Sequence, residues 1–233
     1  MSQERLKSDL TTDGDNAAFL QPAKFIDSDE LSVVAFARAC TNELNDDREK
    51  ALALYYAVRD GVHYDVYLDY TNPANFRASG VLKSGRGFCI GKACLLGAVC
   101  RAVGIPARVG YADVRNHMTS RRLQEMMKTD VFSWHSYTDL RIDGRWVKAT
   151  PAFDIELCDR IGVAPLEFDG KTDSLFQPSD SEGRRRMEYL RFRGAFADVP
   201  FGDILKEFRS IYPGLIAAGA SQDNFRAEAT GHF

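Results

Sequence analysis

Between Cys89 and Val103 only Lys92 and Arg101 carry charge. A helix that is apolar on nearly every side is a buried one. Gly104 and then Pro106 stop it. The chain has 233 residues, 45% of them apolar, which is enough for one domain-sized core around such a helix. Whatever begins this helix is therefore delivered to the middle of the molecule. The residues that begin it are Gly85-Arg86-Gly87-Phe88-Cys89.

The flanking segments indicate the layers around it. Asp27 followed by Glu30 reads as a capping box ahead of Leu31, Val34, Ala35 and Ala39 at helical spacing. Asn45 or Asp46 can cap a second helix through Leu52, Tyr55, Tyr56 and Arg59 to Gly61. Val62 to Leu68 reads as short and extended, and Asn72-Pro73 and Ser79-Gly80 as turns. Ala107 to Val114 is extended. Trp134 to Ile142, Asp143-Gly144 and Arg145 to Ala149 form a hairpin signal with a two-residue turn. Helices followed by antiparallel strands predict an α+β fold. Glu182 to Arg193 and Phe201 to Tyr212 read as further helices, the second closed by Pro213. The expected layout is a flexible segment 1–20, one domain over 21–215 with a helical extension from about 155, and a flexible tail 216–233.

Charge and cysteine usage exclude several classes of function. With 30 basic against 33 acidic residues the net charge is −3, so no global positive field exists to hold nucleic acid or an anionic membrane. Arg184-Arg185-Arg186 reads as part of a solvated helix face. The polar stretch Met1–Asp15 lacks the apolar core of a signal peptide, and the longest apolar run, Ala93 to Cys100, is too short for a membrane span. Five cysteines is an odd, sparse set, which predicts a reduced, cytoplasmic protein. Cys89, Cys94 and Cys100 point three ways around their helix, and no Cys-x-x-Cys pair exists, so zinc is rejected and no cofactor is expected.

Cys89 has the attributes of a nucleophile. A thiol at a helix N-terminus can have its pKa pulled down by the macrodipole. Neighbouring glycines would let a substrate approach and let amide N–H groups converge on an oxyanion. The alternative is a small buried hydrophobe, the usual state of a free cysteine and the reading for Cys40, Cys94, Cys100 and Cys158. Of four histidines, His232 lies in the tail, His63 near a helix end and His117 in a loop. His135 lies on the hairpin, on a strand able to position a base.

The two-residue turn sets the register: Ile142 faces Arg145, and Asp139 faces Lys148 as a cross-strand ion pair. Continued, His135 would face Ala152, with Thr150 and Asp154 as its diagonal neighbours, roughly 7–8 Å away at the backbone. Asp154 can then hold the imidazole if the register survives Pro151. If it does not, Thr150 is the other orienting residue.

Two blocks together resemble the transglutaminase-like superfamily. One is Gly87-Phe88-Cys89-Ile90-Gly91-Lys92-Ala93 leading to Arg101-Ala102-Val103-Gly104-Ile105-Pro106-Ala107-Arg108; the other is His135-Ser136-Tyr137-Thr138-Asp139-Leu140 to Gly144-Arg145-Trp146-Val147. The resemblance implies a papain-like fold and a Cys-His-Asp triad, with Cys89 as nucleophile and His135 as base. The family's acid usually sits just before the proline after the second hairpin strand. Here that position is Thr150, and the nearest acid is Asp154. The implied activity is acyl transfer from a peptide, glutamine or other small amide through a thioester, ending in hydrolysis or transamidation. A silent binding module that keeps the fold and an amidase for non-protein amides are the rivals. His117 and Trp134 are candidates to shape the acyl site, though a surface histidine and a packed tryptophan explain them equally well.

Overall fold

Helix α1 spans Leu31–Thr41 and α2 spans Asp47–Gly61 in the computed structural model, which describes residues 17–180, 182–219 and 225. Most of the two ends expected to be flexible, and His232 with them, lies outside the described residues. Ala17–Phe19 forms a single 3-10 turn, and Phe19 packs edge-on against Trp146. Asp46 caps α2 by accepting from the Glu49 N–H at 3.0 Å. The capping box expected at Asp27 does not form. Its buried carboxylate instead accepts from Arg77 Nε at 2.7 Å and the Ser79 N–H at 3.1 Å, binding the first loop to the segment before the central helix.

The extended reading of Val62–Leu68 shrinks to a two-residue strand β1, His63–Tyr64. The turn-like stretch after it holds the short helix α3, Ala78–Ser84. Gly80 suggested a turn, yet it serves close packing: a Cβ there would lie 2.3 Å from the Ala74 carbonyl oxygen. Strand β2, Arg86–Gly87, pairs in parallel with β1. The central helix α4 follows, Cys89–Ala102.

Every residue of α4 from Ile90 to Arg101 is buried. Its large apolar side chains each contribute about 1.5–3 kcal/mol by leaving water. The two charges inside it work as staples. Lys92 Nζ donates to the carbonyls of Arg59 and Val62 at the end of α2, where a cation is favoured. Arg101 donates to the carbonyls of Gln21, Ala107 and Ala197, drawing three distant segments together.

The main sheet is antiparallel, in the order β5-β4-β3-β6: β3 is Ala107–Asn116, β4 Val131–Ile142, β5 Arg145–Ala149 and β6 Met187–Phe196. The expected register holds at the turn, with Ile142 opposite Arg145 and Asp139 opposite Lys148. Asp139 lies 3.1 Å from Arg108 and 3.9 Å from Lys148. Helix α5, Arg121–Met127, precedes β4, and α6, Ile155–Ile161, follows β5. The expected helix over Glu182–Arg193 is absent: this stretch enters the sheet as edge strand β6. Arg184 and Arg186 both pair with Asp180, ahead of that strand. The chain then forms α7, Phe201–Ile211, and α8, Pro213–Ala218. Among the described residues no helix is long and apolar enough to cross a membrane.

Candidate active site

Helix α4 delivers Cys89 to one wall of a cavity of about 40 Å³, and β4 delivers His135 to another. The backbone N–H groups of Ser136, Ile90 and Cys89 face the Cys89 Sγ. These amides favour negative charge on the sulfur, and the Ser136 N–H is the one that sequence did not reveal. The glycines around Cys89 have another task. A Cβ on Gly91 would approach the Asn75 carbonyl oxygen to 2.6 Å, and one on Gly87 would touch Val81 at 3.0 Å. They admit neighbouring chain, not substrate. Gly85, at φ +64°, makes the turn that ends α3.

The expected lowering of the thiol pKa is reversed. Burial pushes Cys89 up to about 11, against the three amides that favour its thiolate. Burial also pushes the His135 imidazole down to about 4. At neutral pH both groups are therefore uncharged, a thiol beside a neutral base rather than a preformed ion pair.

A β-bulge presents the histidine. His135 pairs with Ala112 and Phe132 with Val114, so Ser133 and Trp134 together oppose Asp113. Trp134 has φ +62°, a strained conformation for a bulky residue that costs about 1–3 kcal/mol. The C-terminal region holds it. The Tyr212 hydroxyl accepts from the Ser133 N–H at 2.7 Å, Glu207 accepts from Trp134 Nε1 at 2.9 Å, and Arg193 bridges Glu207 to Asp113. Trp134 therefore both lines the cavity and anchors the bulge.

The hairpin does not continue as the alternating register expects. Pairing of β4 with β5 ends at Thr138–Ala149, so His135 does not face Ala152. Pro151 has no N–H for the ladder, and the chain leaves the sheet there. Asp154 consequently lies at the start of α6. Its Oδ1 accepts from the Leu157 N–H at 3.1 Å and its Oδ2 from the Tyr64 N–H at 2.8 Å. It caps a helix and ties β1 to it. The structure brings Cys89 and His135 together and gives Asp154 other partners, while His135 Nε2 has no hydrogen-bond partner among the described residues. Thr150 is buried at the end of β5, where its carbonyl accepts from the Tyr55 hydroxyl at 3.1 Å.

His63 lies with Asp154 and Glu156, their candidate ligand atoms within 4.8 Å of one another. Asp154 there also accepts from the Leu157 and Tyr64 amides. His117 sits 3.4 Å from Glu188 and does not line the cavity. All five cysteines are free, Cys40 half-buried and Cys94, Cys100 and Cys158 buried.

Among the described residues no Asp, Glu, Lys or Arg lines the cavity, and Cys89 and His135 are its one cysteine and one histidine. The walls are apolar and aromatic, with Tyr64, Tyr70 and Phe88 on one side. Leu123 and Met127 of α5, Phe208 of α7 and Leu215 of α8 close the other. Gly214 lets α8 meet α5 closely, for a Cβ there would lie 2.6 Å from the Met126 carbonyl oxygen.

Residues 34–151 match the family described as the transglutaminase-like superfamily. No curated protein matches. Among solved structures, a candidate cysteine protease from Cytophaga hutchinsonii is 25% identical with a TM-score of 0.45, covering 61% of this chain and 43% of its own. A candidate protease from Parabacteroides distasonis is 18% identical with a TM-score of 0.41, covering 58% and 26%. A structure described as a TGase is 16% identical with a TM-score of 0.37, covering 64% and 36%. The chain spans less than half the length of each of these proteins. The family match takes in half of the chain, including Cys89, the bulge and His135, and this protein belongs to the transglutaminase-like superfamily.

Proposed function

We propose that this protein is a cysteine-dependent acyl-transfer enzyme acting on the amide of an uncharged, apolar acyl group. The observation that carries the reading is the partly open cavity shared by Cys89 and His135, with amides aimed at the sulfur and apolar walls around it. As Cys89 Sγ attacks the carbonyl carbon, His135 takes the thiol proton. The carbonyl oxygen becomes an oxyanion held by backbone N–H groups. When the C–N bond breaks, His135 returns the proton to the leaving amine and a thioester remains on Cys89. Water then releases the acid, or an amine forms a new amide, and the thiol is restored.

The apolar lining favours acyl groups without charge, because burying an unpaired carboxylate or ammonium there is costly. A cavity of about 40 Å³ is room for little more than water, so the roof of α5, α7 and α8 shifts when an acyl chain enters. The test is a panel of amides that includes peptides, glutamine donors and small non-protein amides, each with apolar or charged acyl groups. Turnover of apolar amides that disappears in Cys89→Ala and in His135→Ala supports the reading. Turnover that survives Cys89→Ala contradicts it. The second reading is a silent binding module, and the lack of a hydrogen-bond partner for His135 Nε2 among the described residues favours it. For that reading the same panel gives no turnover, and His135→Ala leaves the reactivity of Cys89 unchanged.

A further inference from the structure

Three buried polar side-chain atoms find no hydrogen-bond partner among the described residues and are linked through Tyr189: His135 Nε2, Thr150 Oγ1 and the Tyr189 hydroxyl. They belong to one cluster. The Tyr189 ring stands edge-on to the His135 ring with 6.0 Å between centroids, and Phe176 lies 5.9 Å from the same imidazole. The Tyr189 hydroxyl faces Thr150 and the Phe176 backbone. The topology explains the meeting. Thr150 leaves the end of β5 on one side of β4, and Tyr189 comes from β6 beyond β3. On β3 the residue opposite His135 is Ala112, too small to separate them, and the β3–β6 register shifts on either side of Ala112–Asp113. An orphaned buried polar group costs about 1–3 kcal/mol, so three in one place favour any arrangement in which they satisfy one another.

We propose that Thr150 and Tyr189 are the positioning residues of His135, two neutral hydroxyls that accept the Nε2 hydrogen where a carboxylate would otherwise stand. This rests on the reading of His135 as the base. Holding the proton on Nε2 leaves Nδ1 as the basic nitrogen and fixes the ring orientation. Burial pushes the Tyr189 phenol up, so it is protonated and neutral at neutral pH. Cys89 in the shared cavity, Tyr189 against the ring and Thr150 beside Tyr189 are all uncharged at neutral pH. A neutral partner orients the base without raising its pKa, in keeping with a resting pair that carries no charge. Tyr189 lies beyond the family match of residues 34–151, so the C-terminal strand would complete the site.

Two measurements on the full chain test this: the rate at which iodoacetamide alkylates Cys89, resolved by peptide mass spectrometry, and the His135 tautomer from imidazole ¹⁵N shifts. Tyr189→Phe and Thr150→Val are nearly isosteric. The proposal expects each to slow Cys89 alkylation about threefold and the pair about tenfold, toward His135→Ala, as the Nε2–H tautomer gives way to a mixture. If the hydroxyls were only packed, removing them would leave rate and tautomer unchanged. A slow His135→Ala with wild-type rate and tautomer in both hydroxyl variants overturns the positioning role and leaves the base in place. Wild-type alkylation in His135→Ala overturns the base reading, and the tautomer still decides whether the hydroxyls hold the ring.

Discussion

A thiol pushed up to about 11 and an imidazole pushed down to about 4 are each poor reagents alone, and their value lies in proximity. The sequence motifs led to Cys89 and His135 because a helix start and a strand are rigid local features. The third position was harder to read. It depended on a register beyond Pro151, where a missing N–H ends the ladder, and Tyr189, which packs against the imidazole, is distant in sequence. Asp154 has a task that separates cap from charge. Asp154→Asn keeps an N-cap residue and is expected to cost under about 1 kcal/mol, whereas Asp154→Ala loses the Leu157 and Tyr64 amides and costs about 2 kcal/mol. Thermal unfolding measures both. Cys89 alkylation in Asp154→Asn should match wild type, and a loss of tenfold or more would make its carboxylate the imidazole's partner after all.

At the scale of elements, α4 was legible because burial on all sides leaves a composition no surface helix has. The hairpin was legible because Asp143-Gly144 sets both turn and register. Strand β6 was not, since Met, Glu, Leu and Arg favour helix and its register shifts break the alternation that marks a strand. Helix α3 hid behind Gly80, whose role is close approach. The same kind of contact makes Gly91→Ala destabilising: the new methyl meets a backbone carbonyl at 2.6 Å, and an overpacking cost of about 1–3 kcal/mol should appear in chemical denaturation. Leu215, buried on α8, lines the same cavity as Cys89. Leu215→Ala is expected to speed alkylation of Cys89 severalfold while lowering the unfolding temperature. Unchanged alkylation would show that the roof does not limit access.

Across the whole molecule, the segment beyond the family match does more than extend the fold. Arg193, Glu207 and Tyr212 hold the bulge that presents His135, and Arg101 reaches the Ala197 carbonyl to dock the same segment against the central helix. The buried imidazole also ties stability to pH. Its folded pKa lies near 4 and its unfolded value near 6.5, so the unfolded chain binds the extra proton between them. Stability should be fully present above about pH 6.5 and fall as pH drops toward 4, by about 3 kcal/mol from this group. Urea midpoints at several pH values, compared with His135→Gln, measure the share that belongs to His135.

The central claim is that His135 acts as the base for Cys89. The pH dependence of Cys89 alkylation, resolved from the other cysteines, tests it most directly. With His135 neutral above about pH 5, base assistance predicts a rate that is flat from about pH 5 to 9 in the wild type. In His135→Ala the rate should be lower and climb about tenfold per pH unit toward the thiol pKa near 11. A wild-type rate that climbs in the same way, superimposable on His135→Ala, would contradict the account.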